Sequence, residues 1–274
     1  MAQALNGAVT ICYEEFGSDE DPLLVLIPGL GSQMLLYPEE LCLGFVDRGF
    51  RVARIDNRDV GHSSRVPEGY SLVDMADDVV SVLDECQIDI AHIAGMSMGG
   101  IIAQTVAAQH PARTRTLTSI ASTTGNPSHQ QPSPEVMEAL LEPTVDGTID
   151  EIIEADLAAR ALWASPEWHD VEATRDYFRA SYERSAPDGA AYQRQLDAVT
   201  AAGNRDDEVA SINRPSLVIH GTDDTLIPPA AGEHTAATID GAELVLIEGM
   251  GHDLPVQMWA QLISSITGLA SRAV

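Results

Sequence analysis

The sequence predicts an α/β protein in which helices flank a mostly parallel central sheet. Short apolar runs alternate with helical patterns along the chain, an arrangement that is typical of parallel sheets. Some runs, such as Leu23–Ile27, are apolar throughout, as expected of strands buried on both faces. The alternation stops between residues 125 and 205. We therefore expect a core domain formed by residues 1–124 and 206–274, with residues 125–205 inserted as a helical cap.

The predicted strands can be placed in chain order. Residues 9–14 alternate between polar and apolar side chains, a pattern that indicates an edge strand. Further strands are expected at residues 23–27, 51–55, 90–94, 116–120, 216–220 and 243–247. Between them, residues 72–83 carry apolar side chains three and four positions apart, which predicts an amphipathic helix.

The predicted cap differs from the rest of the chain in composition. It begins with a loop rich in proline and polar residues, residues 126–134, and continues with helical patterns. It also concentrates aromatic side chains: Trp163, Trp168, Tyr177, Phe178, Tyr182 and Tyr192. These side chains either contact a ligand below the cap or pack the cap helices against one another.

Composition excludes several classes of partner. The 274 residues carry a net charge of −27, and every basic residue is an arginine, so nucleic acid and anionic membranes would be repelled. No apolar run reaches the roughly 18 residues of a membrane span, and the first residues lack the pattern of a signal peptide. The three cysteines are far apart and match no metal spacing. We expect a cytoplasmic protein with reduced thiols and neither metal nor cofactor; the oligomeric state stays open, a homodimer included.

The most informative motif surrounds Ser97. The sequence Gly95-Met96-Ser97-Met98-Gly99 matches G-x-S-x-G, and it lies between a predicted strand and a predicted helix. In that context the motif indicates a nucleophile elbow, a strained turn that exposes a serine hydroxyl at the end of a sheet. The amide of Met98 would begin the following helix, where unpaired N–H groups favour an anion.

A nucleophilic serine needs a histidine base and a carboxylate that orients it. Two late loops supply both residue types in the order Ser, acid, His. The loop after residues 216–220 contains Asp223 and Asp224, and the loop after residues 243–247 contains Glu248 and His252. The carboxyl ends of parallel strands meet at one edge of a sheet, so these residues can converge on Ser97.

These motifs resemble the α/β-hydrolase family, and within it the capped subgroup that includes the aclacinomycin-type methylesterases. The similarity extends over nearly the whole chain and includes residues 56–63, which resemble the family's turn after an early strand. The resemblance implies Asp224 as the acid, because Gly221-x-x-Asp224 has the family's spacing, and His252 as the base. It also implies that the Leu30 and Met98 amides stabilise an oxyanion. Pro28-Gly29 stands where most relatives have His-Gly.

The expected function is hydrolysis of a carboxylic ester, with a hydrophobic ester as substrate and a methyl ester as one form of it. Gly29, Met34, Trp163 and Trp168 are the expected substrate contacts, although Met34 and both tryptophans are equally compatible with ordinary packing. Hydrolysis of lactones, thioesters or carbon–carbon bonds, acyl transfer and cofactor-free perhydrolysis would use the same residues. The alternative that is not an enzyme is a ligand receptor with this fold. An enzyme would turn over many substrate molecules per Ser97, whereas a receptor would turn over about one or none.

Overall fold

The computed structural model describes residues 1–129, 131–141 and 146–273, and an eight-stranded sheet forms its centre. The strands are β1 (Ala2–Asn6), β2 (Val9–Phe16), β3 (Leu23–Ile27), β4 (Arg51–Ile55), β5 (Ala91–Met96), β6 (Thr114–Ile120), β7 (Ser216–Gly221) and β8 (Glu243–Ile247). Their order across the sheet is β1-β2-β4-β3-β5-β6-β7-β8, and all neighbours from β4 to β8 are parallel. The predicted fold class is confirmed.

The predicted edge strand is not at the edge, and this prediction was wrong. Strand β2 pairs with β4 on one side and with β1 on the other, both antiparallel. β1 and β2 form a hairpin with a two-residue turn, in which Gly7 adopts a φ of 59°. A positive φ at the first turn position suits glycine and matches the twist of a hairpin. Glycine is favoured at the first of two hairpin turn positions, here Gly7 followed by Ala8, and this was the sequence signal for the turn.

Helices cover both faces of the sheet. Helices α2 (Leu72–Glu85) and α3 (Met98–Gln109) pack with strand residues into one apolar cluster, and α1 (Glu39–Val46) and α10 (Val256–Arg272) contribute to a second. The short α8 (Asp206–Ala210) and α9 (Pro229–Thr238) complete the core. None of the helices in the described ranges is long and apolar enough to cross a membrane.

In the described residues, five helices lie in the chain between β6 and β7. The fifth is α8, and we call the first four the cap: α4 (Pro134–Leu141), α5 (Ile149–Arg160), α6 (Val171–Arg184) and α7 (Gly189–Ala202). Helix α5 begins with a capping box in which Thr148 and Glu151 exchange hydrogen bonds. Ile153, Leu157 and Phe178 form a small apolar cluster between α5 and α6, separate from the clusters of the sheet. The cap therefore has its own packing centre.

Candidate active site

Ser97 lies at the turn between β5 and α3 in a strained backbone conformation. Its φ of 57° and ψ of −124° are unusual for a residue with a side chain. The turn requires glycine on both sides of Ser97: a Cβ on Gly95 would lie 2.0 Å from the carbonyl oxygen of Gly99. The Ser97 amide donates to the carbonyl oxygen of Ile120 over 2.9 Å, and the Ser122 hydroxyl donates to the Ser97 carbonyl oxygen over 2.8 Å. The strained turn is thus fixed from the neighbouring strand.

His252 and Asp224 meet on the loops that follow β8 and β7. His252 Nδ1 lies 2.7 Å from Asp224 Oδ2, and both residues are buried. Asp223, the alternative acid, is exposed and accepts a hydrogen bond from the hydroxyl of Thr222. His252 lines the same cavity as Ser97. The geometry therefore places Asp224, and not Asp223, against the histidine ring.

The environment of Asp224 keeps it charged. Burial by itself would raise the pKa of the Asp224 carboxyl, but the charge of His252 and hydrogen bonds from His220 and His252 outweigh burial and lower the pKa to about 2. The second carboxylate oxygen, Oδ1, accepts the amides of Leu226 and Ile227 over 2.9 and 2.8 Å. These bonds also fix which oxygen faces His252.

Two backbone amides lie close to Ser97 in the chain or in space. Met98 follows Ser97 and begins α3, and Leu30, which lines the cavity, follows Gly29 in the oxyanion loop, which we define as residues 28–32. In the described part of the chain, neither the Leu30 nor the Met98 amide has a protein acceptor. Gly29 lies so close that a Cβ there would be 3.2 Å from Ser97 Cβ. Both amides are therefore free to bind an oxygen atom of a ligand.

The cavity lies between the cap and the carboxyl ends of the strands, and it encloses about 180 Å³. Gly29, Trp163, Ser97 and His252 line it. Two predicted substrate contacts do not. Met34 is 1% exposed, with its amide bound to Asp56 Oδ1, and Trp168 lines a neighbouring groove.

Across the described ranges, no group of three or more His, Cys, Asp or Glu side chains is arranged to hold a metal ion. The three cysteines are buried free thiols that lie apart from the cavity. Around Ser97 the structure brings together a hydroxyl, an imidazole with a carboxylate behind it, and two amides without a protein acceptor in the described residues. Such a set of groups is suited to nucleophilic acyl chemistry.

The model of the alpha/beta hydrolase fold family matches residues 22–257, most of the chain. The chain belongs to the α/β-hydrolase family. It is 30% identical to the rhodomycin D methylesterase of Streptomyces sp. (strain C5), over 94% of each chain. It is 27% identical to the pimeloyl-[acyl-carrier protein] methyl ester esterase of Aeromonas hydrophila, over 89% of this chain and 92% of the other. The esterase RhEst1 of Rhodococcus sp. ECU1013 has the same fold, with a TM-score of 0.84 over 100% of this chain and 99% of the other at 21% identity. Because its curated relatives are named as esterases, the chain is an esterase-type hydrolase.

Sequence reasoning missed a polar cluster on the cap of this α/β-hydrolase. Asp156 and Arg160, one turn apart on α5, line the cavity together with Tyr182 of α6. The Tyr182 hydroxyl donates to Asp156 Oδ2. Burial raises the pKa of the Asp156 carboxyl and also that of Tyr182. The spacing of Asp156 and Arg160 was visible in the sequence, but nothing local indicated that this face points into a cavity.

Sequence reasoning also missed how the cap contacts the loop that carries His252, which we call the histidine loop (residues 248–255). The His252 amide donates to the carbonyl oxygen of Trp163 over 2.6 Å. The Ser165 hydroxyl accepts from the Gly251 amide over 2.9 Å and donates to Asp253 Oδ1 over 2.5 Å. Ser165 is fully buried. The cap therefore covers the site and also fixes the backbone on either side of the histidine.

Proposed function

We propose that this α/β-hydrolase cleaves carboxylic esters through a covalent acyl-enzyme on Ser97, with His252 as general base and Asp224 as the group that orients it. The observation that carries the proposal is the strained Ser97 turn in one cavity with a His252 ring whose Nδ1 lies 2.7 Å from Asp224. A serine in such a turn is a weak nucleophile until a neighbouring base accepts its proton.

In the first half of the reaction, Ser97 Oγ attacks the ester carbonyl carbon and its proton passes to His252 Nε2. The carbonyl oxygen becomes negative and accepts hydrogen bonds from the Leu30 and Met98 amides. The tetrahedral intermediate then collapses: the carbon–alkoxy bond breaks, and the alcohol leaves with the proton from His252. Asp224 stays ionised throughout, because its pKa of about 2 is far below neutral pH.

In the second half, water replaces the alcohol. His252 removes a proton from the water as its oxygen attacks the acyl carbon, and the same two amides stabilise the second oxyanion. Collapse of this intermediate breaks the bond to Ser97 Oγ, which regains a proton from His252. The products are the free acid and the unchanged enzyme, and the cycle needs no metal or organic cofactor.

The cavity supports a hydrophobic ester with a small alkoxy group as substrate. Aromatic and aliphatic side chains of the cap and core line the cavity together with Ser97: Leu36, Trp163, Tyr177, Phe178, Tyr192 and Leu226. A volume of about 180 Å³ is close to that of the cavities of ~150 Å³ that hold a benzene ring. A methyl ester leaves most of this volume to the acyl group, and methyl esters appear in the names of the two curated relatives.

The test is a kinetic series on purified protein. One arm uses p-nitrophenyl esters from acetate to palmitate, which measure the preferred acyl length. The second arm uses methyl, ethyl and isopropyl esters of one aromatic acid, which measure the size limit of the alkoxy group. We expect many turnovers per active site, a preference for short or ring-sized acyl groups, and rates that fall from methyl to isopropyl.

The control variants decide whether Ser97 carries the activity. Ser97→Ala should abolish turnover, whereas Ser271→Ala, the same change at an exposed residue of α10, should leave it unchanged. Turnover that survives Ser97→Ala would overturn the proposed mechanism. Release of a single equivalent of p-nitrophenol, or none, would indicate a receptor rather than an enzyme.

A further inference from the structure

Gln195, on cap helix α7, contacts the oxyanion loop directly. Its Oε1 accepts the Gly31 amide over 2.9 Å, and its Nε2 donates to the carbonyl oxygen of Arg58 over 2.8 Å. The side chain is completely buried, so both ends of the amide are satisfied by backbone groups of the core. Tyr192, one turn earlier on α7, packs against the same loop, because a Cβ on Gly31 would lie 2.9 Å from its ring.

The oxyanion loop has few other restraints. Gly29 to Ser32 form a β-turn, in which the Ser32 amide donates to the Gly29 carbonyl oxygen over 3.2 Å. Gly31, the third residue of the turn, has a φ of 66°, and a positive φ at this position is typical of a type II turn. On the strand side, Asn57 Nδ2 donates to the Pro28 carbonyl oxygen over 2.9 Å. In the central peptide of the turn, from Leu30 to Gly31, the amide is bound by Gln195 over 2.9 Å, and the Leu30 carbonyl oxygen accepts a longer hydrogen bond of 3.5 Å from the Ser32 hydroxyl.

The Leu30 amide belongs to the neighbouring peptide, so its direction depends on the same turn. If Gln195 did not accept the Gly31 amide, the turn would lose its hydrogen bond to the cap and could shift as a whole relative to Ser97. The Leu30 N–H would then move away from the carbonyl oxygen of the substrate. Oxyanion donors contribute to catalysis only when they are already aligned.

Helix α7 is itself fixed to the core beside Gln195. The Arg194 guanidinium forms two parallel hydrogen bonds with Asp59, Nε to Oδ2 over 2.8 Å and Nη2 to Oδ1 over 2.9 Å. Asp59 is 1% exposed and Arg194 is half-buried, and a bidentate contact of this kind is geometrically strict. Gln195 therefore projects from a rigid point.

We propose that Gln195 is a positioning residue of the oxyanion hole, through which the cap aligns the Leu30 amide for ester hydrolysis. The inference rests on the proposed function, since it assigns Leu30 as an oxyanion donor. It makes the cap part of the catalytic machinery: the cap shapes the cavity, and through one buried amide it also sets the geometry in which the transition state is stabilised.

The test compares Gln195→Leu with Gln193→Leu, the same change two residues earlier, where the side chain is exposed and donates a hydrogen bond to Asp197 on the same helix. For Gln195→Leu we expect kcat to fall roughly 10- to 100-fold, less than the 10²- to 10³-fold that complete loss of an oxyanion donor costs, with KM changed less than about 3-fold. Gln195→Glu keeps an acceptor for Gly31 and should recover part of kcat. Gln193→Leu should match the wild type.

A second measurement needs no ester substrate. A fluorophosphonate probe phosphonylates an activated serine through a transition state that also uses the oxyanion hole, and intact-mass analysis gives its rate. The inference is supported if Ser97→Ala is not labelled and if Gln195→Leu is labelled roughly 10- to 100-fold more slowly than the wild type. If Ser97→Ala is labelled at the same rate as the wild type, the proposed function is refuted.

Equal labelling rates and equal kcat in Gln195→Leu and Gln193→Leu overturn the positioning role while the proposed function stands. A loss confined to KM or to the melting temperature also overturns it, because a purely structural residue would act there. Should Gln195→Leu not fold, Gln195→Asn provides the same comparison, since its amide is one methylene too short to reach Gly31.

Discussion

Replacing Asp224 by asparagine is the sharpest test of the proposed catalytic arrangement. Asp224 Oδ1 accepts the amides of Leu226 and Ile227, so the carbonyl oxygen of an asparagine would stay at that position. Its NH₂ group would then occupy the place of Oδ2, 2.7 Å from His252 Nδ1. An NH₂ group donates, so Nδ1 would have to accept and the imidazole proton would move to Nε2. In that tautomer Nε2 cannot take the proton of Ser97.

The expected loss of kcat follows from this change of tautomer. A change of this kind lowers kcat about 10⁴-fold in a serine protease of unrelated fold, which corresponds to about 5.5 kcal/mol of lost transition-state stabilisation. We expect Asp224→Asn to lose roughly 10³- to 10⁴-fold in kcat with little change in KM, because the carboxylate lies behind His252 and does not line the cavity.

The assay is hydrolysis of the best p-nitrophenyl ester at neutral pH, with the concentration of folded enzyme measured by absorbance and circular dichroism. Asp223→Asn is the matched control, since Asp223 is the preceding residue, exposed, and without contact to His252. It should keep wild-type kcat. The reasoning fails if Asp223→Asn loses activity as Asp224→Asn does, or if Asp224→Asn loses less than about 10-fold.

Three further outcomes are expected. The pKa of Asp224 is about 2 in the folded chain and ~3.9 in an unfolded one. Its ionised form therefore contributes roughly 2–3 kcal/mol to the free energy of unfolding above about pH 4, and this contribution is lost as the pH falls towards 2. In urea unfolding between pH 5 and 3, the free energy of unfolding should depend less steeply on pH in Asp224→Asn than in the wild type. Gly95→Ala places a Cβ 2.0 Å from Gly99 O and should destabilise the fold by about 3 kcal/mol or more, seen as a large drop in melting temperature; a wild-type value would contradict the strained turn. Ser165→Ala removes the buried hydroxyl that joins the cap to the histidine loop and should cost about 1–3 kcal/mol in urea unfolding together with part of kcat, whereas an unchanged kcat would mean that this contact does not position His252.

Local patterns were enough to predict the fold class and to nominate a nucleophile. The structure has a strand directly before Ser97 and a helix directly after it, as the sequence predicted. Both could be predicted because a short apolar run and a glycine turn are patterns of neighbouring residues. The hairpin of β1 and β2 shows the limit: Gly7 was visible as a turn residue, but a five-residue strand with only one fully buried side chain carries little pattern of its own.

The sequence by itself determined the alternation of strands and helices, the glycine turn around Ser97, and the chain order of serine, acid and histidine. The family's spacing also selected Asp224 over Asp223, and the structure places Asp224 against His252. Only the tertiary structure decided that Trp163 rather than Trp168 borders the cavity, and that Gln195 reaches the oxyanion loop. The physical reason is distance along the chain. Gln195 and Gly31 are 164 positions apart, and their hydrogen bond exists only because the cap packs on the core in one orientation. Local chemistry can nominate a catalytic side chain, but packing alone selects its partners.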